Sequence, residues 1–333
     1  MTEKETKALE GVNTPYDDAF RTMVNDCTRL LIPVINEVFG KHYNGNEEIV
    51  FHANEHFLNQ QDGSEDKRIT DSSFSIIAEK EERYLLECQS RPDNSMLVRI
   101  FEYATQIALD EGAIVKNTLE VTIPNAAILF LRSTSKTPDE MNILMHTPGG
   151  DVQFAVHVMK MMNYTLDTIF EKELYFLLPF YIFTHEAKFA SYEADASKLE
   201  GLKGEYAWMI KKLGEALGEE KITYYYMKSI IEMAKLVLES IAKNYENVRK
   251  GVDSVMGGTI LEHESKTIFN EGRNVGLEEG RNKGKMEEKE TIAKRLSKAG
   301  MKDKDIAKYV DASIKLVRQW IGAPAPVKAK KKQ

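Results

Sequence analysis

Cysteine is almost missing from this chain: two in 333 residues, Cys27 and Cys88. Two thiols cannot build a disulfide framework or a cysteine-based zinc site. That usage fits a reducing, intracellular compartment. Long apolar runs are also missing. The longest, Leu174 to Phe183, has 10 residues and is interrupted by Pro179, about half of the ~20 a membrane helix needs. The opening MTEKETKALEG is charged and lacks the apolar core of a secretory signal. The expectation is a soluble, cytoplasmic protein with no membrane partner.

What is present suits a globular chain of about two domains, with 42% hydrophobic and 29% charged residues. A chain of this length can bury about three quarters of its unfolded surface, so it needs no disulfide or metal staple. The net charge of −7 argues at first sight against nucleic acid, but the charge is unevenly spread. From Arg281 to Gln333 there are 16 Lys+Arg against 6 Asp+Glu, which leaves the first 280 residues at −17. A basic appendage follows an acidic body.

Residues 1–13 are polar and expected to be disordered. Thr14-Pro15 reads as an N-cap followed by proline at the first helical position. Phe20, Met23, Val24, Cys27, Leu30, Leu31, Val34, Ile35 and Val38 then recur at helical steps. Pro33 either bends that helix or splits it, and Gly40 closes it. A short strand is expected around Ile49-Val50-Phe51. Two longer ones follow, over Arg68–Ala78 and Arg83–Ser90, with the charged run Glu79–Glu82 as a hairpin tip. Asn94–Glu111 has helical periodicity. Ala126–Leu131 is nearly all apolar, as in a central strand covered on both faces. Met141–Thr147 and Val152–Val158 flank Pro148-Gly149-Gly150-Asp151, a hairpin signal. The order implies a mixed sheet with helices packed against it.

Past Tyr164 the pattern turns helical, with an apolar stripe from Met227 to Tyr245. Tyr224-Tyr225-Tyr226 at its start could stack bases or simply pack. Glycines fall at every fourth position from Gly272 to Gly284, either as a weakly helical linker or as a self-association stripe. The Pro/Ala/Lys tail 323–333 is expected to be disordered. The organisation read from these shifts is 14–190, a helical region 195–290, a helix-turn-helix-like segment 291–322 and the tail.

The strand pair holds the sharpest chemical signal. Asp71 lies within the first strand and Glu87-Cys88-Gln89 near the end of the second. Glu87 and Gln89 point the same way, and hairpin pairing can bring Asp71 beside Glu87. Two carboxylates on one sheet face are costly unless solvated or bound to a cation. Such oxygen ligands suit Mg²⁺ or Mn²⁺, which keep waters and grip a phosphate. The alternative is a pair of solvent-facing edge residues. Arg99 and Tyr103, four apart, share a helix face: Arg99 can hold a phosphate and Tyr103 can orient it or Gln89, or they are a surface arginine beside a half-buried tyrosine. His52 and His56 are four apart, without a helix to aim both at one zinc ion. His157 reads as a strand residue and His185 as a loop residue.

Taken together, Tyr16-Asp17-Asp18-Ala19-Phe20-Arg21, Ile69-Thr70-Asp71 and Tyr84-Leu85-Leu86-Glu87-Cys88-Gln89-Ser90 resemble the Rpn-like recombination-promoting nucleases. That family is also grouped with transposases, within the PD-(D/E)XK nuclease superfamily. The Arg99-x-x-x-Tyr103 helix, Ile128-Leu129-Phe130-Leu131-Arg132, Leu177-Leu178-Pro179-Phe180-Tyr181 and the glycine-spaced Glu/Arg segment carry the same resemblance, which covers most of residues 14–290. It implies an α/β fold with an αβββαβ core, Asp71 and Glu87 as metal ligands, and Asp17 as the acidic residue of the first helix, with Asp18 competing for that role. The superfamily's lysine position is Gln89 here, which can hydrogen-bond an attacking water but carries no charge. The implied activity is metal-dependent DNA cleavage linked to recombination or mobile elements. The alternative is a catalytically decayed scaffold that binds DNA or assembles, for which Gln89 and the basic tail speak.

The C-terminal segment reads as short helix, glycine turn at Gly300, an Asp-Ile-Ala helix and a Ser313-capped helix, a helix-turn-helix-like pattern. Lys315, Arg318 and Gln319 could approach a groove or phosphates, with Lys328–Lys332 adding nonspecific attraction. The alternative is a helical hairpin for protein contact, and the helical region could drive homo-oligomerisation.

Overall fold

The computed structural model describes residues 14–52, 55–59, 65–69, 72–91, 95–110, 112–258, 289–310, 312 and 314–321; for 55–59 and 65–69 it describes the strand pairing alone. Asp71, the Gly272–Gly284 row and the segments 1–13 and 323–333 lie outside the described residues. The chain divides into two units, residues 1–263 and 264–333.

The first unit opens with α1 (Pro15–Asp26), started by a capping box. The Thr14 hydroxyl accepts from the Asp17 backbone N–H, the Asp17 carboxylate accepts from the Thr14 N–H, and Pro15 holds the first helical position. A 3₁₀ turn at Thr28–Leu30 separates α1 from α2 (Leu31–Phe39). Of the two outcomes left open at Pro33, the helix is split. The break falls ahead of the proline, which then stands in the first turn of α2, where a missing N–H costs nothing. Gly40 ends α2 at φ 60°, a left-handed turn that glycine adopts without strain.

A mixed six-stranded sheet follows, in the order β1-β4-β5-β8-β10-β9. Its members are β1 (Glu48–Phe51), β4 (Ser72–Ile77), β5 (Glu81–Gln89), β8 (Asn125–Phe130), β9 (Glu140–Thr147) and β10 (Gly150–Lys160). Strands β1, β4 and β5 pair antiparallel, β8 lies parallel to both β5 and β10, and β9 pairs antiparallel with β10. The single strand expected over Arg68–Ala78 is instead two. β3 (Glu65–Ile69) pairs with β2 (Glu55–Asn59) in a separate two-stranded sheet, while β4 joins the main one. Between the two ladders, four residues separate Ile69 from Phe74 and three separate Phe51 from Glu55. The ladders are therefore one residue out of step, and a single uninterrupted strand cannot serve both.

Helix α3 (Met96–Asp110) crosses from β5 to β8, with a small hairpin, β6 (Ala113–Val115) and β7 (Thr118–Glu120), on the way. It covers one sheet face, where Met96, Ile100, Tyr103, Ala104 and Ile107 pack on Leu85, Ala126, Ile128, Phe130 and Val156. The other face is covered by α1, α2 and the segment after β10. Leu174–Phe183 falls within a run of 3₁₀ turns, Tyr175–Lys188, after the short helix α4 (Leu166–Glu171). Phe20 of α1 packs edge-on against Phe176 at 5.4 Å. Helices α5 (Phe189–Ala194), α6 (Ala196–Gly218), α7 (Tyr224–Ile241) and α8 (Glu246–Gly258) continue the same core, which runs from Ala19 to Met256. The helical region after 195 and the sheet region before 190 thus share one hydrophobic interior. His185, expected in a loop, is buried within the 3₁₀ run. Tyr226 is buried in the core, which favours packing for the tyrosine triplet.

The described part of the second unit has three helices, α9 (289–298), α10 (Asp303–Tyr309) and α11 (Ile314–Ile321), around Ala293, Ile306, Ala307, Val310 and Val317. The protein is therefore α/β, with helices flanking a mixed sheet and a helical C-terminal region. Among the described residues no helix is long and apolar enough to cross a membrane.

One charged cluster ties the β4–β5 tip to the helical layer. Glu82 pairs with Lys41 just beyond α2 and accepts from the Tyr84 hydroxyl at 3.0 Å, and that hydroxyl lies 2.7 Å from Tyr43's. The Lys41 hydrogen bond, opposed by burial and aided by Tyr84 and Lys80, holds the Glu82 carboxyl down at about 2. The folded value lies below the ordinary 4.5, so this stabilisation is complete above about pH 4.5 and is lost as pH falls towards 2. Melting at pH 7 and pH 3 should therefore show a smaller acid-induced drop for Glu82→Gln than for the wild type.

Candidate functional site

Alternation along β5 decides what its residues meet. Tyr84, Leu86 and Cys88 enter the core under α1, whereas Leu85 packs beneath α3. Glu87 and Gln89 share the phase of Leu85 and so belong to the α3 face. Glu87 is 3% exposed. In the parallel ladder it stands opposite Ile128, and Gln89 opposite Phe130. In the antiparallel ladder Ser72, the residue after Asp71, pairs with Leu86, the residue before Glu87. Asp71 itself lies outside the described residues. Ser73, directly opposite Leu85, shares that face, and so does Ser75, two residues on. Both are buried, so β4 brings two buried hydroxyls to the Glu87 side, while Ile77 of the same phase is exposed at the hairpin end.

Helix α3 supplies the second element. Its Arg99 guanidinium donates to the Gln89 side-chain oxygen at 3.3 Å and to the Met96 sulfur at 3.1 Å. Tyr103, one turn on, is 5% exposed and packs in the core beneath α3. Of the residues singled out in the sequence, Gln89 and Arg99 are brought into contact. With its oxygen accepting from Arg99, Gln89 keeps its NH₂ as a donor. It can hydrogen-bond a water or an oxyanion and cannot take up a proton.

The third element is the start of α1. The Asp17 carboxylate accepts from the Thr14 N–H at 2.9 Å and from the Thr14 hydroxyl at 2.7 Å, so it closes the helix cap and makes no hydrogen bond to Glu87 or Gln89. Asp18 is exposed. The Tyr16 ring meets Phe183 at 5.7 Å, and the Arg132 guanidinium lies over Phe183, 4.6 Å from its centroid. Arg132 follows β8, and its backbone N–H donates to the Ser90 carbonyl at 3.0 Å, just as Leu131 donates to Gln89 at 2.9 Å. The start of α1 therefore sits at the carboxyl ends of β5 and β8, the end of a parallel pair where ligand crevices form.

Arg132 also carries the pairing that the sequence did not reveal. Its guanidinium donates through two nitrogens to both oxygens of Glu186, a bidentate geometry. Burial alone lowers the guanidinium's pKa, and Glu186, with Tyr16, outweighs this and holds it above its ordinary value. The partners are 54 residues apart, so no local motif marks them. The only hint in the sequence is that Arg132 ends the apolar strand run.

The His52 ring is 2.7 Å from the Ser75 hydroxyl, and His157 stacks edge-on against Phe39 at 5.1 Å; the His56 side chain lies outside the described residues. Among the described residues no three His, Cys, Asp or Glu side chains are grouped to hold a metal ion. The ligand pair read from the sequence includes Asp71, so only its Glu87 half is described. In the second unit, Arg318 donates to Asp303 at 2.9 Å and ties α11 to α10. Lys315 is on α11, with its side chain outside the described part. Compared with known proteins, the chain matches no family model, no curated protein and no solved structure.

Arg132→Met keeps the aliphatic stem and removes the charge, leaving Glu186 without its partner. Hydrogen bonds to charged groups are worth about 1.5–3 kcal/mol, so urea denaturation should show a loss of about 2 kcal/mol. Glu186→Gln, which keeps an acceptor oxygen, should lose less.

Proposed function

We propose that this protein is a metal-dependent DNA endonuclease built on a PD-(D/E)XK core. The observation that carries the reading is Glu87: a carboxylate 3% exposed on a central strand, on the same face as Gln89, with Arg99 reaching Gln89 from the crossing helix. A carboxylate is a natural oxygen ligand for a divalent cation, which Glu87 would share with Asp71. Support for this reading comes from the main sheet and its helices, where α1–α2, the antiparallel β1, β4 and β5, the crossing helix α3 and the parallel β8 follow in that order, with the β2–β3 and β6–β7 pairs set outside that sheet.

The donor set fits Mg²⁺ or Mn²⁺, which take carboxylate oxygens and retain waters. When bound, such an ion supplies a Lewis acid for a phosphoryl oxygen and lowers the pKa of a water. The chain's own groups do the rest. Gln89 donates to the attacking water or a phosphate oxygen and contributes no base. Arg99 fixes the Gln89 amide and brings positive charge to the phosphate side of the site. Tyr103, packed beneath, holds α3 at the right height on the sheet. Asp17 acts through the helix cap, which seats the start of α1 at the strand ends. Lys315, Arg318 and the basic tail add sequence-independent attraction for DNA.

Plasmid nicking by the purified protein with Mg²⁺, Mn²⁺, Ca²⁺ or EDTA tests this, with Asp71→Asn and Glu87→Gln alongside. The expected result is nicking with Mg²⁺ or Mn²⁺ that EDTA abolishes. Each variant should lose more than the 10–100-fold typical of an outer-shell change, and should also lose the Mn²⁺-dependent rise in melting temperature. Nicking at equal rates in both variants overturns the site. No nicking, together with salt-sensitive DNA retention, moves the reading to a non-catalytic DNA-binding protein on the same scaffold.

A further inference from the structure

An open surface cleft of about 460 Å³ lies between the start of α4, the 3₁₀ run and α6, on the helical side of the first unit, with Asp167, Gly201 and Gly204 exposed on its walls. Its volume lies within the ~300–1,000 Å³ common for small-molecule sites. Four of its lining residues come from α6: Gly201, Gly204, Glu205 and Trp208, spaced so that they share one helix face. Tyr181 and Asp167 line it from the other elements.

Three features set this cavity apart from an accidental gap between helices. The first is its charge: the lining residues bring two carboxylates, Asp167 and Glu205, and no cation. The second is the glycine pair. Both glycines stand inside a 23-residue helix, where glycine is unfavourable relative to alanine. A Cβ at either would meet nothing within 4 Å, as holds also for Gly214 and Gly218 farther along the helix, so close packing does not account for them; at 201 and 204 the missing side chains leave the cleft wall low. The third is how Glu205 is held. The Tyr181 hydroxyl, on a residue 7% exposed, donates to it at 2.6 Å. The His185 ring, 6% exposed, meets it through Nε2 at 3.1 Å while its Nδ1 lies 2.9 Å from the Tyr192 hydroxyl. Burial lowers the His185 pKa against the pull of Glu205, with Lys188 adding to the lowering. A neutral ring satisfies both contacts by donating from Nε2 and accepting at Nδ1. The carboxylate is thus fixed by two buried donors, and among the described residues it has no Lys or Arg partner.

Trp208 completes the wall. The Phe170 ring meets the indole edge-on at 5.3 Å, and Lys212 lies 5.8 Å from its centroid while bound to Glu215. The indole is therefore held in place, and already supports one cation. A carboxylate held rigid beside an indole and an open helix face suits a positively charged group on a slim carrier, through charge pairing and cation–π attraction.

We infer that this cavity is a binding site for an organic cation, an alkylammonium or alkylguanidinium group held by Glu205 and Asp167 against Trp208. The inference is independent of the nuclease reading. The group can come from a free amine or guanidine, or from a Lys or Arg side chain of a peptide.

The chain has two tryptophans, so Trp320→Phe leaves Trp208 as the only indole emitter. In that background the probes are n-butylamine, n-butylguanidine, a blocked Gly-Arg-Gly peptide and neutral n-butanol. The expected result is a saturable change in emission with at least one cationic probe and none with n-butanol. Tighter binding of the peptide than of the free cations assigns the group to a protein partner, and the reverse assigns it to a free metabolite. Glu205→Gln, which keeps an acceptor for Tyr181 and His185, should weaken binding at least tenfold. Gly204→Leu, which fills the cavity from a helical position with free space, should abolish it without lowering the melting temperature. The inference is overturned by no saturation with any cation, by an equal response to n-butanol, or by unchanged affinity in both variants.

Discussion

The placement of β8 constrains everything else in the first unit. Asn125–Phe130 lies between two parallel neighbours, β5 and β10, with apolar side chains buried on both faces. From Ala126 to Phe130 every residue is buried, so the backbone groups there must be paired on both sides. Parallel pairing cannot be closed by a tight turn, so a crossing element must pass over the sheet. Helix α3 makes that crossing from β5 to β8, which brings Arg99 above Gln89. The same pairing aligns the carboxyl ends of β5 and β8, so that Gln89 and Ser90 meet Leu131 and Arg132 through the backbone. The candidate site is a consequence of strand order before it is a matter of side-chain chemistry.

The charges inside this framework fall into two kinds. Arg132–Glu186 and Lys41–Glu82 are pairs in which each charge compensates the other, and both join a strand end to the helical layer. They fix the position of segments that hydrophobic contact alone leaves free to slide. Glu205 is different: a carboxylate with its side chain 42% exposed, held by Tyr181 and His185 beside the cleft between α4 and α6. Compensation within the fold favours stability, whereas a carboxylate presented to an opening favours binding.

Much of the framework was legible in the sequence. The proline-led cap at Thr14, the glycine end at Gly40, the α3 stripe, the apolar run of β8 and the Pro148–Gly149 hairpin each rest on interactions within a few residues. Such signals survive in one dimension because capping, turn conformation and side-chain alternation are local. The Arg68–Ala78 strand was misread because its alternation continues where the pairing partner changes, and register is a property of two strands together. The Leu174–Phe183 run looked only like an apolar stretch. Its 3₁₀ winding follows from packing against Phe20 and α7, which no window of neighbours contains. The boundary near residue 190 marks a change from strands to helices, yet the core passes through it, because amphipathic helices bury their stripes against whatever apolar face is closest.

By itself, then, the sequence determined the types of element, most of their limits, and the candidate residues Glu87, Gln89, Arg99 and Tyr103, all of which sit in strongly patterned segments. Only the tertiary structure decided that Arg99 touches Gln89, that Arg132 finds Glu186, and that Glu205 stands beside a cleft, held by Tyr181 and His185. The physical reason is common to these contacts. Each depends on which elements become neighbours in the sheet and its layers. That choice is made by the burial of whole faces together, and no single segment encodes it.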